Sequence, residues 1–523
     1  MNRRSRRGLI AATLLMLGAA GCTDTTELPT STITDTNYFN DPSSYRAFLA
    51  KIYAGLAVSG QQGPSGNGDI KGVDEGFSQY LRLYWEAQEL PTDEAVIAWG
   101  DIGLPEMNTQ LWASSNTFVV SMYYRIAFQV SLVNEFLRQT TDDKLAARNV
   151  SADLKAQIQG FRAEARFLRA LSYWHGIDLF GSIPLVTEND AVSATPPPQS
   201  TRQAIYDYVV SELTAAQADL PAASGQGTYG RATKEAASIL LANVYLNAEV
   251  YTGAPHYAEA AAAAQAAING PFSLDASFQH IFQADNNTSP EIIFPIIQDG
   301  QTTETWGGAT FLVHASCGGS MVPANYGVDG CWYGLRLKAE AYNRFAVDDP
   351  RRAFFWTDGQ TVDVTSISDF STGIPAPKYS NKTSLGTAGS NATHVDTDFP
   401  LFRLGDAYLI YAEAAVRGSA DRGQALAYVN ALRERAYGNT SADITDPELT
   451  LQFILDERGR ELLWEAHRRT DLVRFGLFTG GDYVWQWKGG AAAGTSTESF
   501  RNLYPLPASE LAANPNLVQN PGY

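Results

Sequence analysis

The stretch Leu154-Lys-Ala-Gln-Ile158-Gln-Gly-Phe161-Arg-Ala-Glu-Ala165-Arg-Phe-Leu168-Arg-Ala-Leu171-Ser-Tyr-Trp-His175-Gly-Ile-Asp-Leu179 decides the fold class. Ile158, Phe161, Ala165, Leu168, His175 and Leu179 recur on one face of a 3.6-residue period, which predicts a single long helix. It should stop near Gly181 and Pro184. Beyond Thr195-Pro196-Pro197-Pro198, a second helix is expected through Ile205, Val209, Leu213 and Ala216 to Leu220. A third runs from Ala232 through Ala236, Ile239, Asn243 and Leu246, and the alanine-dense Tyr257–Ile268 reads as its partner. Another pair falls at Leu401–Val416 and Gln424–Ala436, with Ala425, Val429, Leu432 and Ala436 as the buried stripe.

Two-helix units of about 34–40 residues with small residues on their contact faces are the pattern of tetratricopeptide-like repeats. The expected class is therefore mainly α. Helical hairpin repeats are expected over about 152–268 and 401–466, broken by a large irregular, loop-rich insert over about 270–400. The insert is rich in Gly, Thr, Asn, Asp and aromatics, with short strand-like runs such as Glu291-Ile-Ile-Phe-Pro-Ile-Ile297. It is too long to be a connector.

Upstream, Arg3, Arg4, Arg6 and Arg7 precede the apolar run Leu9–Leu17, and small residues lead to Gly21-Cys22. This is a secretory signal over residues 1–21, too short to span a bilayer. Ala-Ala-Gly-Cys resembles a bacterial lipobox, with Ala19 where leucine is usual, so Cys22 is expected to be lipidated. Residues 22–34 are polar and unpatterned and read as a tether, leaving residues 35–523 as one domain.

Lys+Arg 38 against Asp+Glu 56 gives a net charge of −18, and the leader's four arginines are lost on processing. Such acidity argues against a nucleic-acid ligand, and 45% hydrophobic residues against a disordered chain. No cofactor is expected. Gly225-x-Gly227-x-x-Gly230 mimics a dinucleotide fingerprint, but Pro221 and an alanine-rich helix stand where a strand is required. The six histidines are scattered without metal spacing. Asp285-Asn286-Asn287-Thr288 and Asp396-Thr397-Asp398 offer oxygen ligands for calcium without spacing that compels it. Cys317 and Cys331 are compatible with a disulfide or with two buried thiols. Glu457, Glu461 and Glu465 recur at i, i+4, i+8 among Arg458, Arg460, Arg468 and Arg469, the pattern of a neutralising salt-bridge network rather than of a catalytic pair.

Several segments together resemble a known family. They are Thr92-Asp93-Glu94-Ala95-Val96, Arg162–His175 and Phe180-Gly181-Ser-Ile-Pro184, then Arg403-Leu-Gly-Asp406 through Glu413 and Glu457-Arg-Gly-Arg460-Glu461. His467–Gly476 and the tail Tyr504-Pro505-Leu506-Pro507 through Asn520-Pro521-Gly522-Tyr523 complete them. In this order they resemble the SusD/RagB family of outer-membrane nutrient-binding lipoproteins. The resemblance implies a tetratricopeptide-type scaffold, an outer-membrane location through a lipid on Cys22, and no catalysis. It also implies a TonB-dependent barrel transporter as partner, to which an oligosaccharide (in some members a peptide) is delivered.

Capturing a sugar requires flat aromatic faces against pyranose CH groups, on loops held by a rigid scaffold. The candidates are Trp99, next to Asp101, in the early loop, and Trp306, Tyr326, Trp332 and Tyr333 in the insert, flanked by Asn325 and Asp329. Trp485 and Trp487 read as a second, exposed pair of lower rank. Aromatics that stack on sugars also suit peptides, so both ligand classes stay open. A lipid-anchored glycoside hydrolase is the alternative of a different class.

Overall fold

The structure, a computed structural model, describes residues 35–193 and 195–523. The signal peptide, the tether and Cys22 lie outside the described residues.

The principal helices are α1 (Ser43–Ala57), α2 (Tyr80–Glu89), α3 (Thr117–Gln139), α4 (Ala152–Leu179), α5 (Arg202–Ala216) and α6 (Lys234–Leu246). They continue with α7 (Tyr257–Ile268), α8 (Gly308–Ala315), α9 (Leu404–Val416), α10 (Arg422–Tyr437), α11 (Leu451–Glu461) and α12 (Arg468–Arg474). Half of them begin where a short polar side chain takes an otherwise orphaned backbone N–H. Asn116, Ser151, Thr201, Thr233, Asp421 and Thr450 cap α3, α4, α5, α6, α10 and α11 in this way. α4 ends at Leu179, and the chain turns through Gly181 at φ +74°, a left-handed conformation that glycine adopts without penalty.

The helices pack in succession: α3 on α4, α4 on α5, α6 on α7, α7 on α9 and α9 on α10. This is the tetratricopeptide-like pairing that the sequence leads one to expect. Buried alanines at 236, 237, 242, 260, 261, 264 and 267 let α6 and α7 approach closely. α7 lies directly against α9, so the helical succession resumes across residues 269–403 as though they were looped out. One continuous apolar core joins these helices to insert residues such as Phe311, Leu335 and Tyr379. Among the described residues no helix is long and apolar enough to cross a membrane.

Three details differ from expectation. Residues 401–403 are strand rather than helix: β2 (Ile292–Ile296) pairs antiparallel with β4 (Phe399–Arg403), Phe294 opposite Phe402. A short, fully buried apolar run reads alike in either state, and Pro400 disfavours helix at the residue before it. Glu465 lies past the end of α11, because Trp464 and Ala466 take φ of 60° and 63° and turn the Trp464 ring into the core. Trp485 is buried rather than exposed, against Phe478 and Tyr483 with the Lys488 ammonium over its ring, while Trp487 is half-buried.

The salt-bridge reading of Glu457, Glu461 and Glu465 holds, but most of the partners come from elsewhere in the chain. Glu457 pairs with Arg351, Arg433 and Arg460; Glu461 with Arg351, Arg403 and Arg435; Glu465 with Arg403 and Lys378. Arg458, Arg468 and Arg469 instead hold Asp406 and Asp471, Asp93, and Asp178.

Candidate functional site

Two remote segments are brought together by a very short ladder. β1 (Val96–Ile97) pairs antiparallel with β3 (Leu335–Arg336), and the Ala98 N–H donates to the Gly334 carbonyl at 3.0 Å. This places Trp99 beside Trp332. The Trp99 indole N–H donates to the Trp332 carbonyl at 2.9 Å, and the ring centroids lie 6.2 Å apart at 50°. A side chain at Gly334 would meet the Trp99 ring at 2.9 Å, so only glycine permits this approach. Trp306 is the second indole beside Trp332, 6.0 Å away and tilted by 58°. Three half-buried indoles from three segments thus form a tilted row.

The row rests on α8 and α2. Phe311 of α8 supports Trp99 edge-on at 5.8 Å, and one turn later His314 stacks under Trp332 at 4.4 Å and 17°. His394 lies 4.6 Å from Trp306. The Arg82 guanidinium of α2 sits 5.5 Å from the Trp99 ring centre and 4.5 Å from that of Phe311, and donates to the Trp306 carbonyl at 3.4 Å. The loop carrying Trp332 is bonded to the last turn of α8 through the N–H groups of Trp332, Tyr333 and Gly334, which donate to the carbonyls of His314, Cys317 and Ala315. A Cys317–Cys331 disulfide joins the same two elements, with the Cα atoms 4.7 Å apart.

The other two candidates stand apart from the indoles. Tyr333 is 50% exposed and lies edge-on to Phe370 at 5.5 Å. Tyr326 is half-buried against the core, its carbonyl accepting the Asn381 N–H at 2.9 Å. Asp329 accepts the Thr393 hydroxyl at 2.5 Å, while Asn325 is exposed. Arg82, Phe311, His314 and His394 were not singled out in the sequence. The one available signal was the i, i+4 pair Arg82/Glu86 inside an otherwise apolar stretch.

Among the described residues no group of three or more His, Cys, Asp or Glu side chains could hold a metal ion. The carboxylates of the two runs considered for calcium are taken up by hydrogen bonds within the protein. Asp285 holds Ser384, Asp396 holds Gly300 and Ser390, and Asp398 holds Tyr229 and the Gln298 N–H.

Two predictions arise from this support. Replacing both Cys317 and Cys331 with serine frees a link of sequence separation 14. The expected loss is about 3 kcal/mol for a loop of that size, measured by urea unfolding. Glu86 is buried beneath Arg82, accepting its Nε–H at 3.0 Å, with its second oxygen unpartnered. Burial pushes its carboxyl up to about 7 against the pull of Arg82. A folded-state value above the unfolded value of ~4.3 means stability is complete at low pH and falls as pH rises toward 7. Wild-type protein is expected to lose about 3 kcal/mol through this group between about pH 4 and pH 8. Glu86→Gln should show none of that slope in urea unfolding across the range.

Residues 355–523 match the model of the SusD family, and residues 92–246 match a family model described as "Starch-binding associating with outer membrane". The starch-binding protein SusD of Bacteroides thetaiotaomicron is 35% identical, covering 91% of this chain and 91% of that one. The chain belongs to the SusD family. A SusD-like protein of Formosa agariphila is 26% identical over 98% of both chains. Among solved structures, a SusD-superfamily protein from B. thetaiotaomicron superposes with a TM-score of 0.71 at 21% identity, covering 92% of this chain and 99% of that one. Surface glycan-binding protein A from B. thetaiotaomicron in complex with laminarihexaose gives 0.69 at 21%, covering 91% and 98%. At these identities the structural likeness is one of fold. The SusD-family relatives whose names state an activity are binding proteins and not enzymes. Trp306 and Trp332 fall between the two stretches that the family models match, whereas Trp99 lies inside one.

Proposed function

We propose that the mature chain is a lipid-anchored outer-membrane protein that captures a nutrient oligosaccharide on the Trp99–Trp332–Trp306 row. It then delivers the sugar, uncleaved, to a TonB-dependent barrel transporter. The observation that carries this reading is the row itself. Three flat apolar faces, tilted by 50° and 58° from one to the next, suit successive pyranoses of a chain that turns rather than one that runs flat. Arg82 adds hydroxyl-reading capacity, since no protein group accepts from its Nη2 among the described residues. Tyr326 and Tyr333 are carried in this reading as outer contacts. The names of the relatives, one starch-binding and one solved with laminarihexaose, support a neutral glucan, and the net charge of −18 disfavours polyanions. The lipobox-like Cys22 and the family's association with the outer membrane support the anchor and the transporter partner.

The test is calorimetric titration of the mature chain with maltoheptaose, laminarihexaose and short peptides, with chromatography of the recovered ligand. One saturable sugar and no cleavage products are expected. Peptide binding in place of sugar overturns the ligand, and released glucose overturns the non-catalytic reading.

A further inference from the structure

We infer that His314 is a positioning residue for Trp332, and that proton uptake by its imidazole tightens the sugar-binding platform. The inference rests on the oligosaccharide reading for its effect on affinity, but not for the proton-responsive contact itself. His314 lies in the last turn of α8 with its ring flat beneath Trp332. Its Nδ1 lies 2.7 Å from the Gly330 carbonyl and its Nε2 3.0 Å from the Thr393 carbonyl. Both ring nitrogens therefore face acceptors. A neutral imidazole carries a single N–H, so either tautomer leaves a nitrogen lone pair against a carbonyl oxygen. Only the imidazolium donates to both.

One carbonyl belongs to the loop that carries Trp332, the other to the loop whose His394 lies against Trp306. Gly330 precedes Cys331 and Trp332, and Thr393 precedes His394, which lies against Trp306. Protonated His314 is thus a bolt between them, and its charge under the indole face adds a cation–π attraction. Two titratable groups face it from the elements packed around it. Asp329, in the loop before Gly330, favours the cation, and His394, beside Thr393, opposes it. Burial holds the His314 pKa below the ordinary ~6.5, and the two carbonyls draw it part of the way back. With both bonds made, less of the loop remains to be ordered by the ligand, so binding tightens as pH falls. By linkage, binding of the ligand is accompanied by uptake of part of a proton at the His314 imidazole.

The first readout needs no ligand. Tryptophan emission of the mature chain is expected to fall in a one-proton step below about pH 6.5, as the imidazolium quenches the stacked indole. The step should be lost in His314→Gln and in Trp332→Phe, and kept in His394→Gln. The second readout is calorimetry with the bound sugar. Affinity is expected to rise roughly fivefold across the same step, the worth of one net hydrogen bond, and to stay flat in His314→Gln. Absence of the emission step, its survival in His314→Gln or Trp332→Phe, or a step with no change in affinity each overturns the inference. Failure of every sugar to bind at any pH overturns the oligosaccharide reading alone, and an emission step that follows His314 still upholds the contact.

Discussion

Trp332→Ala is expected to weaken oligosaccharide binding by at least ~30-fold, about 2 kcal/mol, the loss typical of a central aromatic anchor. Trp332 is the middle ring, 6.2 Å from Trp99 and 6.0 Å from Trp306, so its loss interrupts the row instead of shortening it. Its scaffold survives the substitution. The bond from the Trp99 indole and the bond to the His314 carbonyl use the backbone of residue 332, and the disulfide and Gly334 are untouched. The effect should therefore appear in affinity while the melting temperature moves by only a few degrees, because the ring is half-buried rather than a core residue. Trp99→Ala and Trp306→Ala remove an end of the row and should each have a smaller effect. Titration of the three variants with the same sugar checks the order. Binding within threefold of wild type in Trp332→Ala would place the site elsewhere.

Among the helices that the sequence marks, α5, α7 and α10 bury one face each. α7 begins and ends at Tyr257 and Ile268 as read, and α4 ends at Leu179, two residues before the Gly181 expected near its stop. Of the unmarked helices before residue 150, α2 has a physical reason to be missed: all ten of its residues are buried, so no polar face sets off an apolar one. The candidate row was only half legible. Its aromatics are conspicuous by type, but what unites Trp99 with Trp332 is a ladder of two residues per strand, which has no period to detect. The supports, Arg82, Phe311 and His314, come from helices in which only the Arg82/Glu86 pair stands out from an apolar run. Trp485 misled because its Gly-rich neighbourhood hides the Lys488, Phe478 and Tyr483 contacts that bury it. Residue type therefore nominated five aromatics, and only long-range packing separates the three that form a row.

Replacing Glu461 with glutamine is expected to destabilise the protein by about 3–5 kcal/mol at neutral pH, as removal of one partner from a buried ionic network does. Glu461 accepts from Arg403 at 2.8 Å and from Arg351 at 3.4 Å, and it also pairs with Arg435, every one of these side chains being at most 4% exposed. Glutamine keeps the shape but removes the charge that the three guanidiniums share, and it turns an amide N–H₂ toward groups that are themselves donors. The remaining carboxylates of Glu291, Glu457 and Glu465 are already engaged by the same arginines and Lys378, and none can swing to replace it. Acid distinguishes this cost from simple misfit. Burial alone would raise the Glu461 carboxyl, but Arg435, Arg403 and Arg351 outweigh it and hold its pKa at about 2. A folded-state value below the unfolded ~4.3 means the stabilisation is whole above the unfolded value and drains away as pH falls toward 2. Urea unfolding should therefore show wild type and Glu461→Gln far apart at pH 7, closer by about pH 3 and converged only by about pH 2. A difference under ~1 kcal/mol at pH 7, the size of an exposed pair, would mean that water reaches these charges and that the network does not anchor the C-terminal half of the fold.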